Sequence, residues 1–435
     1  LEDAIESSEA RGGDVLVTDP RTGEVLAMVS IRDGTAAGLG AVTTPYEPGS
    51  TLKPFTVSLL LENGLASLHD RIEVGDGTWK TVGRTLHDSH RPEEPVMTLA
   101  DALRVSSNVG VAKAAQVLAP GTQYEGLRDF GFGVLTGVEL PGEVGGTLRR
   151  PDAWSGTSAT SLAIGYEISV TPLQMAMAYG ALANGGILME PRLVREIRDA
   201  DGRTVQRFGP RAVRRVVSRD VAQAVGGVLV DVVADGTGTA ASLGVFKVAG
   251  KSGTARAYSP DGGYQRGNYS SSFVGFFPAE DPQLVVFVKL ENPRSGSYYG
   301  GAVAAPVTRA TMEAALAARA TPLDRSLLLR ASRPRTPPVE ASSPVRFASN
   351  RLDDRPEADV AETLVQPARP APGAAVTLPD VSGLPARVAI RRLHALGLRV
   401  EQGRLGDILG TVPAAGSRVV QGDTIRLQVR ERADD

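Results

Sequence analysis

The chain has 435 residues, of which 42% are hydrophobic, enough to bury a sizeable core. A formal net charge of −2 argues against a global attraction to nucleic acid or acidic lipid. Without cysteine there can be no disulfide or thiolate chemistry, and with only 4 histidines a classical zinc site is hard to assemble. The length, together with 49 glycines and 29 prolines, predicts one large domain with appendages.

The N-terminal segment predicts a hairpin followed by a buried helix. Two β-prone runs, 14–18 and 25–30, flank the turn-forming residues 19–24, so we expect them to pair within an antiparallel sheet. A helix is expected to begin at Ser50, just after a Pro-Gly pair, and to stop at Gly64. Ser50 and Lys53 would then share one helix face, where an amine can reach a serine proton.

The middle of the chain predicts helices joined by short loops. Thr98 and Asp101 are spaced as a capping pair for a short helix, and a second helix is expected over 109–118. Ser106 and Asn108 therefore fall in the loop between the two. Two further helices are expected to begin at the N-caps Thr171 and Ser218.

The pattern turns to β structure from residue 245 onward. We predict a three-strand meander, closed by an Ala-rich helix over 306–319 that packs back on the sheet. The predicted strands are 246–248, 273–276 and 284–290.

The C-terminal third predicts a tether and a small module. Residues 321–377 are rich in Pro, Ala and Arg with almost no aromatic side chains, which predicts a flexible linker. Residues 378–435 then predict a small βα module, with a helix over 385–396 and strands near 398–400 and 424–429. Apolar runs such as 284–288 are far shorter than the roughly 20 residues that cross a bilayer.

Three short motifs carry the chemistry. Ser50-Thr51-Leu52-Lys53 alone is a weak signal, because a capping serine beside a surface lysine would look the same. Ser106-Ser107-Asn108 adds a second hydroxyl and an amide from a loop, and Lys251-Ser252-Gly253-Thr254 adds a cation and two hydroxyls on a predicted strand. The combination is typical of penicillin-binding proteins and serine β-lactamases.

With these motifs in this order, the chain resembles the transpeptidase domain of a class B penicillin-binding protein over most of residues 1–318. Residues 46–50, 170–174 and 236–241 are also similar to stretches that flank the motifs in that family. The resemblance implies an α+β penicillin-binding transpeptidase fold over 1–320, with an antiparallel sheet flanked by helices, an all-helical lobe, and the active site at their junction.

The resemblance also implies a catalytic role for each motif residue. Ser50 would be the nucleophile and Lys53 its base, provided that burial and a nearby cation, Lys251, favour the neutral amine. Ser106 would relay a proton between Lys53 and the leaving amine, and Asn108 would bind a backbone amide of the substrate. No cofactor or metal is implied.

The strand motif is expected to bind substrate. Ser252 and Thr254 would hold the terminal carboxylate of the stem peptide, and Gly253 would allow close approach beside the strand. By the family's pattern, the backbone N–H groups of Ser50 and Thr254 would stabilise the tetrahedral oxyanion.

Several alternatives stay open at this stage. A serine β-lactamase would need a deacylating base, for which Glu167 is the nearest loose candidate, although we favour a structural role for it. A sensor that is acylated without turnover is the non-enzymatic alternative. Residues 244–252 fit a phosphate-binding loop poorly, having five residues between the glycines instead of four, and residues 87–90 are better interpreted as a polar loop than as a metal site.

The C-terminal module resembles a single PASTA domain through residues 378–383 and 413–417. Such a module could bind cell-wall fragments or serve localisation and partner contact, and the residues favour neither. The whole resemblance implies a peptidoglycan D,D-transpeptidase that β-lactams acylate, on the extracytoplasmic face of the bacterial inner membrane, with its anchor and pedestal outside this chain. Expected partners are peptidoglycan stem peptides, a membrane glycosyltransferase and division proteins; the PASTA-like module mildly favours a division or sporulation role.

Overall fold

The structure is a computed structural model that describes residues 1–81, 83–258, 263–318, 323–331, 375–384, 386–394, 396–401 and 407–430. None of the helices in these ranges combines the length and apolar character that crossing a bilayer requires. The α-helices are α1 Glu2–Ser8, α2 Gly40–Thr43, α3 Lys53–Glu62, α4 Leu99–Arg104, α5 Asn108–Ala114, α6 Pro120–Asp129, α7 Ser158–Ala163, α8 Pro172–Ala183, α9 Arg219–Asp235, α10 Gly300–Val303, α11 Ala305–Ala317, α12 Arg325–Ala331 and α13 Ala386–His394.

The strands form one large sheet and several short pairs. They are β1 Gly12–Thr18, β2 Val25–Arg32, β3 Thr35–Ala36, β4 Arg71–Glu73, β5 Thr78–Thr81, β6 Arg84–His87, β7 Val96–Thr98, β8 Thr147–Leu148, β9 Ile168–Ser169, β10 Ile187–Met189, β11 Glu196–Arg198, β12 Thr204–Arg207, β13 Ala212–Arg215, β14 Ala249–Tyr258, β15 Tyr264–Phe277, β16 Leu284–Glu291, β17 Ala375–Thr377, β18 Arg399–Glu401, β19 Asp407–Val412, β20 Arg418–Val420 and β21 Thr424–Arg430.

The large sheet has the order β14-β15-β16-β1-β2-β3, and every neighbouring pair is antiparallel. The predicted opening hairpin and the later meander are therefore confirmed, and β1 joins them by pairing with β16. The first strand of the meander was placed too early: pairing with β15 starts at Ala249, so residues 246–248 precede β14. The Lys251–Thr254 motif does lie on a strand, as predicted.

Helices cover both faces of the sheet. On one face, α8 is buried along its whole length, and on the other, Met312 of α11 packs against the sheet. Phe55 of α3 contacts the rings of Phe130, Phe132 and Tyr179 at centroid distances of 4.7, 5.1 and 5.2 Å. Because Phe55 lies two residues after Lys53, this aromatic cluster fixes the helix that carries the lysine.

Helix starts follow the predicted capping residues. Thr98 and Asp101 form a reciprocal capping box at α4, and Thr171 forms another with Gln174 at α8. The side chain of Ser218 caps α9. The helix predicted from Ser50 differs, because it begins as a 3₁₀ turn over Gly49–Leu52 and becomes α-helical only at Lys53. The domain limits drawn from composition stay a prediction.

The predicted linker of 321–377 begins and ends with regular structure. Helix α12 covers Arg325–Ala331. Its Leu328, together with Leu323, is buried in the core between the large sheet and α11. At the other end, Ala375–Thr377 forms β17. Residues 321–322 and 332–374 of the predicted tether lie outside the described residues.

The C-terminal module has its own core and contacts the transpeptidase-like part of the chain. Helix α13 packs beside a sheet of the order β18-β21-β19. Arg399 on β18 binds Asp129 at the end of α6 through two bonds of 2.8 and 3.0 Å, and Asp129 also pairs with Arg214 at 2.9 Å. The Arg128 guanidinium donates to the Val400 carbonyl at 2.6 Å.

Candidate active site

The Ser50 turn is held by its neighbours on both sides. Gly49 has φ +53°, a left-handed conformation that favours glycine, and the Thr51 hydroxyl donates to the Pro48 carbonyl at 2.8 Å. The Tyr179 hydroxyl donates to the Thr51 carbonyl at 2.9 Å. In a 3₁₀ turn, residues three apart lie over one another, so Ser50 and Lys53 project on the same side.

The Lys53 amine is fully buried and is bound to neutral oxygens. It donates to the Ser106 carbonyl at 2.6 Å and to Asn108 Oδ1 at 2.8 Å, with a longer contact of 3.3 Å to Ser106 Oγ. No hydrogen bond joins the Ser50 hydroxyl to Lys53 in the described part of the chain. The amine is thus positioned between the Ser50 turn and the Ser106 loop.

Ser106 lies between two lysines. It has φ +65°, a strained conformation for a residue other than glycine, which turns its side chain out of the loop between α4 and α5. The buried Lys251 amine donates to Ser106 Oγ at 2.8 Å and to the Ser252 carbonyl at 3.1 Å. Because both amines donate to this one oxygen, the Ser106 hydroxyl is free to donate its own proton elsewhere.

Burial controls the protonation of both amines. It lowers the pKa of Lys53 to about 7, and the attraction of the Asp88 carboxylate only partly opposes it. Burial, and secondly repulsion from Lys53, hold the pKa of Lys251 well below its ordinary value. The doubly charged pair is therefore disfavoured near neutral pH. This direction runs against the expectation that Lys251 is the cation beside Lys53, and it favours one proton shared across Ser106.

Asp88 holds the second motif in place through three hydrogen bonds. Its Oδ1 accepts from the backbone N–H groups of Asn108 and Val109 at 2.5 and 2.9 Å, and its Oδ2 accepts from the Ser107 hydroxyl at 2.8 Å. A carboxylate at the first turn of α5 satisfies donors that the helix leaves unpaired. It also places a negative charge near Lys53 without touching it.

Asn108 is occupied on both atoms of its side-chain amide. Its Oδ1 accepts from Lys53, and its Nδ2 donates to the His87 carbonyl at 2.8 Å. One N–H of Nδ2 is left for a substrate carbonyl. The predicted contact with a substrate amide remains a prediction, beside the observed role of holding Lys53.

The strand motif closes the site from the sheet. A Cβ on Gly253 would lie 2.7 Å from Ser272 Oγ, 2.8 Å from Thr51 Cγ2 and 2.9 Å from the Pro48 carbonyl, so only glycine lets β14 approach the Ser50 turn this closely. Ser252 Oγ and Thr237 Oγ1 are 2.7 Å apart, and Thr254 Oγ1 accepts from the Gly300 N–H at 3.0 Å.

The three motifs meet at one cavity of about 300 Å³, whose lining includes Ser50, Ser106, Asn108, Ser252 and Thr254. The two buried lysines reach it through Ser106. The predicted site residues are thus brought together, although the role of each residue stays a prediction.

Glu167 is engaged elsewhere. Its Oε2 accepts from the Ser158 hydroxyl at 2.6 Å and from the Arg149 guanidinium at 2.8 Å, and its backbone N–H donates to Glu47 Oε1 at 3.0 Å. Its φ is +60°, so the residue is fixed in a tight turn. These contacts fit the structural role that we favoured over deacylation.

Two polar residues of the site were not identified from the sequence. Asp88 lies in the loop that we interpreted as merely polar, and no local pattern links it to a helix some twenty positions later. Thr237 lies in the stretch 236–241 that resembles the family, and that resemblance was the one available signal for its place beside Ser252.

Comparison with known proteins agrees with this geometry. Residues 13–313 match the family described as "Penicillin binding protein transpeptidase domain", and residues 376–431 match the PASTA domain. The chain therefore belongs to the penicillin-binding protein transpeptidase family. Its relatives and its C-terminal domain are consistent with a class B penicillin-binding protein that carries a PASTA domain, as the motifs predict.

Two curated relatives illustrate the similarity. The probable peptidoglycan D,D-transpeptidase PbpC of Pseudomonas aeruginosa is 34% identical over 336 residues, which cover 74% of this chain and 57% of that protein. Stage V sporulation protein D of Bacillus subtilis is 29% identical over 450 residues, which cover 99% of this chain and 63% of that protein. The chain thus spans less than two thirds of the length of either.

Solved structures show the same fold. The TP domain of penicillin-binding protein 3 from Burkholderia pseudomallei, in its apo form, matches with a TM-score of 0.66 at 32% identity, covering 77% of this chain and 94% of that one. Penicillin-binding protein 3 from Mycobacterium tuberculosis, in complex with aztreonam, matches with a TM-score of 0.65 at 34% identity, covering 72% and 75%. The α+β transpeptidase fold predicted from the motifs is therefore confirmed.

Proposed function

We propose that this chain is a peptidoglycan D,D-transpeptidase that forms an acyl-enzyme on Ser50 and is a target of β-lactams. One observation carries the proposal: two fully buried lysine amines share the Ser106 hydroxyl beside the Ser50 turn, and no carboxylate among the described residues is bound to either amine. A lysine in such a place is neutral for part of the time at neutral pH, so it can act as a base.

In the acylation step, Lys53 takes the Ser50 proton as Ser50 Oγ attacks the penultimate D-alanine carbonyl. The proton passes through Ser106 to the amine of the departing D-alanine, while Lys251 stabilises the charge that moves along this path. Asn108 holds Lys53 in place. The backbone N–H groups of Ser50 and Thr254 stabilise the oxyanion, in line with the family's pattern.

The substrate's terminal carboxylate is expected at the strand wall of the cavity. Ser252 and Thr254 supply hydroxyls there, and Thr237 supports Ser252 from the opposite side. Gly253 keeps the strand close enough to the Ser50 turn for both hydroxyls to reach the same peptide end as the nucleophile.

The wider setting is also part of the proposal. Two relatives bear the names peptidoglycan D,D-transpeptidase and stage V sporulation protein D, which supports action on the cell wall at the extracytoplasmic face of the inner membrane. We expect a membrane anchor outside this chain, and a glycosyltransferase and division or sporulation proteins as partners. The PASTA domain would bind cell-wall fragments or a partner protein.

Labelling with a fluorescent penicillin tests the proposal. The wild-type chain should form a covalent adduct that persists for minutes and should turn over a thioester mimic of the D-Ala-D-Ala terminus. Ser50→Ala should form no adduct, whereas Ser67→Ala, which changes an exposed serine, should label normally. A Ser50→Ala variant that still labels would exclude the mechanism, and a wild-type adduct that hydrolyses within seconds would point to a β-lactamase.

A further inference from the structure

A small cavity lies at the junction between the transpeptidase domain and the PASTA domain. Its volume is about 30 Å³, which leaves room for no more than a few water molecules. All but one of its lining residues fall in the range 130–214 of the transpeptidase domain, and the exception is His394, the last residue of α13. His394 is therefore placed at the same junction that the contact between Arg399 and Asp129 bridges.

His394 is buried, and one nitrogen of its ring is unsatisfied. The residue is 9% exposed, and its Nε2 has no hydrogen-bond partner within the described ranges. A neutral imidazole carries a proton on one nitrogen only, whereas an imidazolium has an N–H on both that must donate or stay unpaired. Protonation in this place would therefore bury a charge and leave a donor without a partner at the same time.

The charges that act on the His394 ring are positive. Arg214 of β13 lines the same cavity, and Arg128 belongs to α6. Burial, and secondly the charges of these two guanidinium groups, hold the pKa of His394 well below its ordinary value. The neutral imidazole is therefore the form that fits the docked arrangement.

The carboxylates around this junction each bind another group. The pairs are Asp129 with Arg399 and Arg214, Glu125 with Arg399, Glu401 with Arg150, and Glu143 with the backbone N–H of Thr136. Across the described part of the chain, none of these carboxylates bonds to the His394 ring. Although burial opposes it, the bonds from Arg399 and the charge of Arg214 keep the pKa of Asp129 below its ordinary value, so this partner stays ionised when a histidine titrates.

We propose that His394 makes the docking of the PASTA domain acid-sensitive: the neutral ring lets the domain bind to α6 and β13, and protonation of the ring releases it. This inference goes beyond the acylation chemistry and does not depend on it. In the docked form, β18 is held against α6 by the bonds from Arg399. In the released form, that strand is open to another ligand, so the surrounding pH determines which surface the PASTA domain presents.

The sign and the size of the effect follow from proton linkage. A histidine in water has an ordinary pKa of about 6.5, and the docked His394 has a lower one. Docking is therefore strongest above about pH 6.5, where neither form takes up the proton, and it weakens as pH falls toward the docked pKa. Over that range, the equilibrium between the two forms should move about tenfold toward release for each pH unit.

The lack of cysteine in this chain makes docking measurable by energy transfer between two fluorophores. Ala153→Cys and Ala415→Cys change one exposed residue in each domain of the full chain and accept a donor and an acceptor dye. Transfer should be efficient at about pH 8 and should fall between about pH 6.5 and pH 5, as the PASTA domain is released. Arg399→Glu sets like charges against Glu125 and Asp129 and should give the low, released value at every pH.

His394→Gln should keep the efficient transfer over the whole range, because glutamine does not titrate. The matched control is His69→Gln, which removes an exposed histidine of a turn and should respond to pH as the wild type does. If His394→Gln loses transfer in parallel with the wild type, the assignment to His394 is wrong. Constant wild-type transfer down to about pH 5, or equal transfer in Arg399→Glu and wild type at about pH 8, would also overturn the proposal.

An NMR titration of the histidine rings gives a second readout that needs no change at His394, so it decides the question even if His394→Gln does not fold. The full chain has 4 histidines, so its labelled ring signals are few. The His394 signal should titrate at lower pH in the wild type than in Arg399→Glu, because release restores the ordinary pKa of the ring. Equal titration midpoints in the two proteins would show that docking and protonation are not linked, and the proposal would fail.

Discussion

Two regions of the transpeptidase domain bury lysine amines. The sheet pairs its lysine with carboxylates, whereas the active site binds its lysines to neutral oxygens. In the sheet, Lys289 on β16 lies 3.0 Å from Asp14 and 2.8 Å from Glu291, and Arg32 pairs with the same two carboxylates at 2.8 and 3.0 Å. In the active site, the hydrogen-bond partners of both lysine amines among the described residues are carbonyl, hydroxyl and amide oxygens.

The difference teaches what makes a buried lysine reactive. Burial opposes ionisation of Asp14, yet the attraction of Lys289 and Arg32 outweighs it and leaves the pKa of Asp14 below its ordinary value. Charges thus persist in the sheet because they are balanced there. Among the described residues, no carboxylate is bound to either active-site amine. Burial therefore favours loss of a proton there, and the buried lysine can act as a base.

The largest expected effect is on catalysis. Lys53→Met should slow acylation of Ser50 by about 10²- to 10⁴-fold, because the general base is lost. The free energy of unfolding should change little, since methionine has no amine to desolvate but leaves the Ser106 carbonyl and Asn108 Oδ1 without this donor. Stopped-flow labelling with fluorescent penicillin and urea denaturation measure the two quantities. Fast acylation by this variant would assign the base to another group.

The same substitution in the sheet should give the opposite pattern. Lys289→Met leaves Asp14 buried with Arg32 as its remaining cation, which should cost about 3 kcal/mol of folding stability. The acylation rate should fall far less than in Lys53→Met, because Lys289 contacts the Tyr46 ring that precedes the Ser50 turn but does not bind Ser50, Lys53 or Ser106.

A second variant checks the reason for this loss. Adding Asp14→Asn to Lys289→Met removes the stranded charge, so the double variant should be more stable than the sum of the two single effects predicts. Strict additivity in urea denaturation would mean that the two side chains do not stabilise each other.

Protonation should separate the two regions further. Acylation should rise with pH through about 7, because the reactive form of Lys53 is the neutral amine, and the rate should fall roughly fivefold from pH 7 to pH 6. Folding stability linked to Lys53 has the same sign: it is complete above the unfolded pKa of about 10.4 and is lost as pH falls to about 7.

The contribution of Asp14 to folding stability changes over a different pH range. Because its folded pKa is lowered, its stabilisation is complete above the unfolded pKa of about 3.9 and is lost only as pH falls through the lower folded value. Urea titrations at a series of pH values give the folding stability as a function of pH. Lys53→Met should flatten only the alkaline part of this curve. If Lys53→Met also flattened the acidic part of the curve, the contributions of Asp14 and Lys53 would not lie in separate pH ranges.

The smallest effect is expected at Asp88, whose charge acts on Lys53 from a distance. Asp88→Asn removes the attraction that raises the pKa of Lys53, so the midpoint of the acylation profile should move below pH 7. Weaker capping of α5 should cost about 1 kcal/mol of stability. Asp76→Asn, which removes a carboxylate that accepts from the first N–H of β5, should leave the midpoint unchanged. A shift to higher pH would contradict the electrostatic role.

Local sequence rules predicted the parts of this molecule that depend on neighbours in the chain. The caps at Thr98, Thr171 and Ser218 follow from spacing of a few residues, whereas the strand predicted from local pattern at 246–248 ended before Lys251. Resemblance to a family, rather than spacing, predicted that the motifs would meet. The charges could not be predicted from either, because Asp14 and Lys289 become partners only when β1 pairs with β16.

The active site divides in the same way. Ser50 and Lys53 could be proposed as a pair from their spacing, whereas Asp88 reaches α5 only through tertiary folding. The contact between Arg399 and Asp129 joins residues 270 positions apart, so no local sequence pattern could predict it. Composition likewise predicted a tether at 321–377 but not the two leucines that anchor its beginning.

The close approach at Gly253 has an evolutionary consequence. Its missing side chain lets β14 approach the Ser50 turn, because three backbone or side-chain atoms would lie within 3 Å of a Cβ at this position. Any mutation there would push the strand away from the nucleophile and harm a natural peptide and a drug that imitates it alike. Exposed residues of the cavity lining such as Tyr299 carry no such constraint, so they can change without separating the sheet from the lobe.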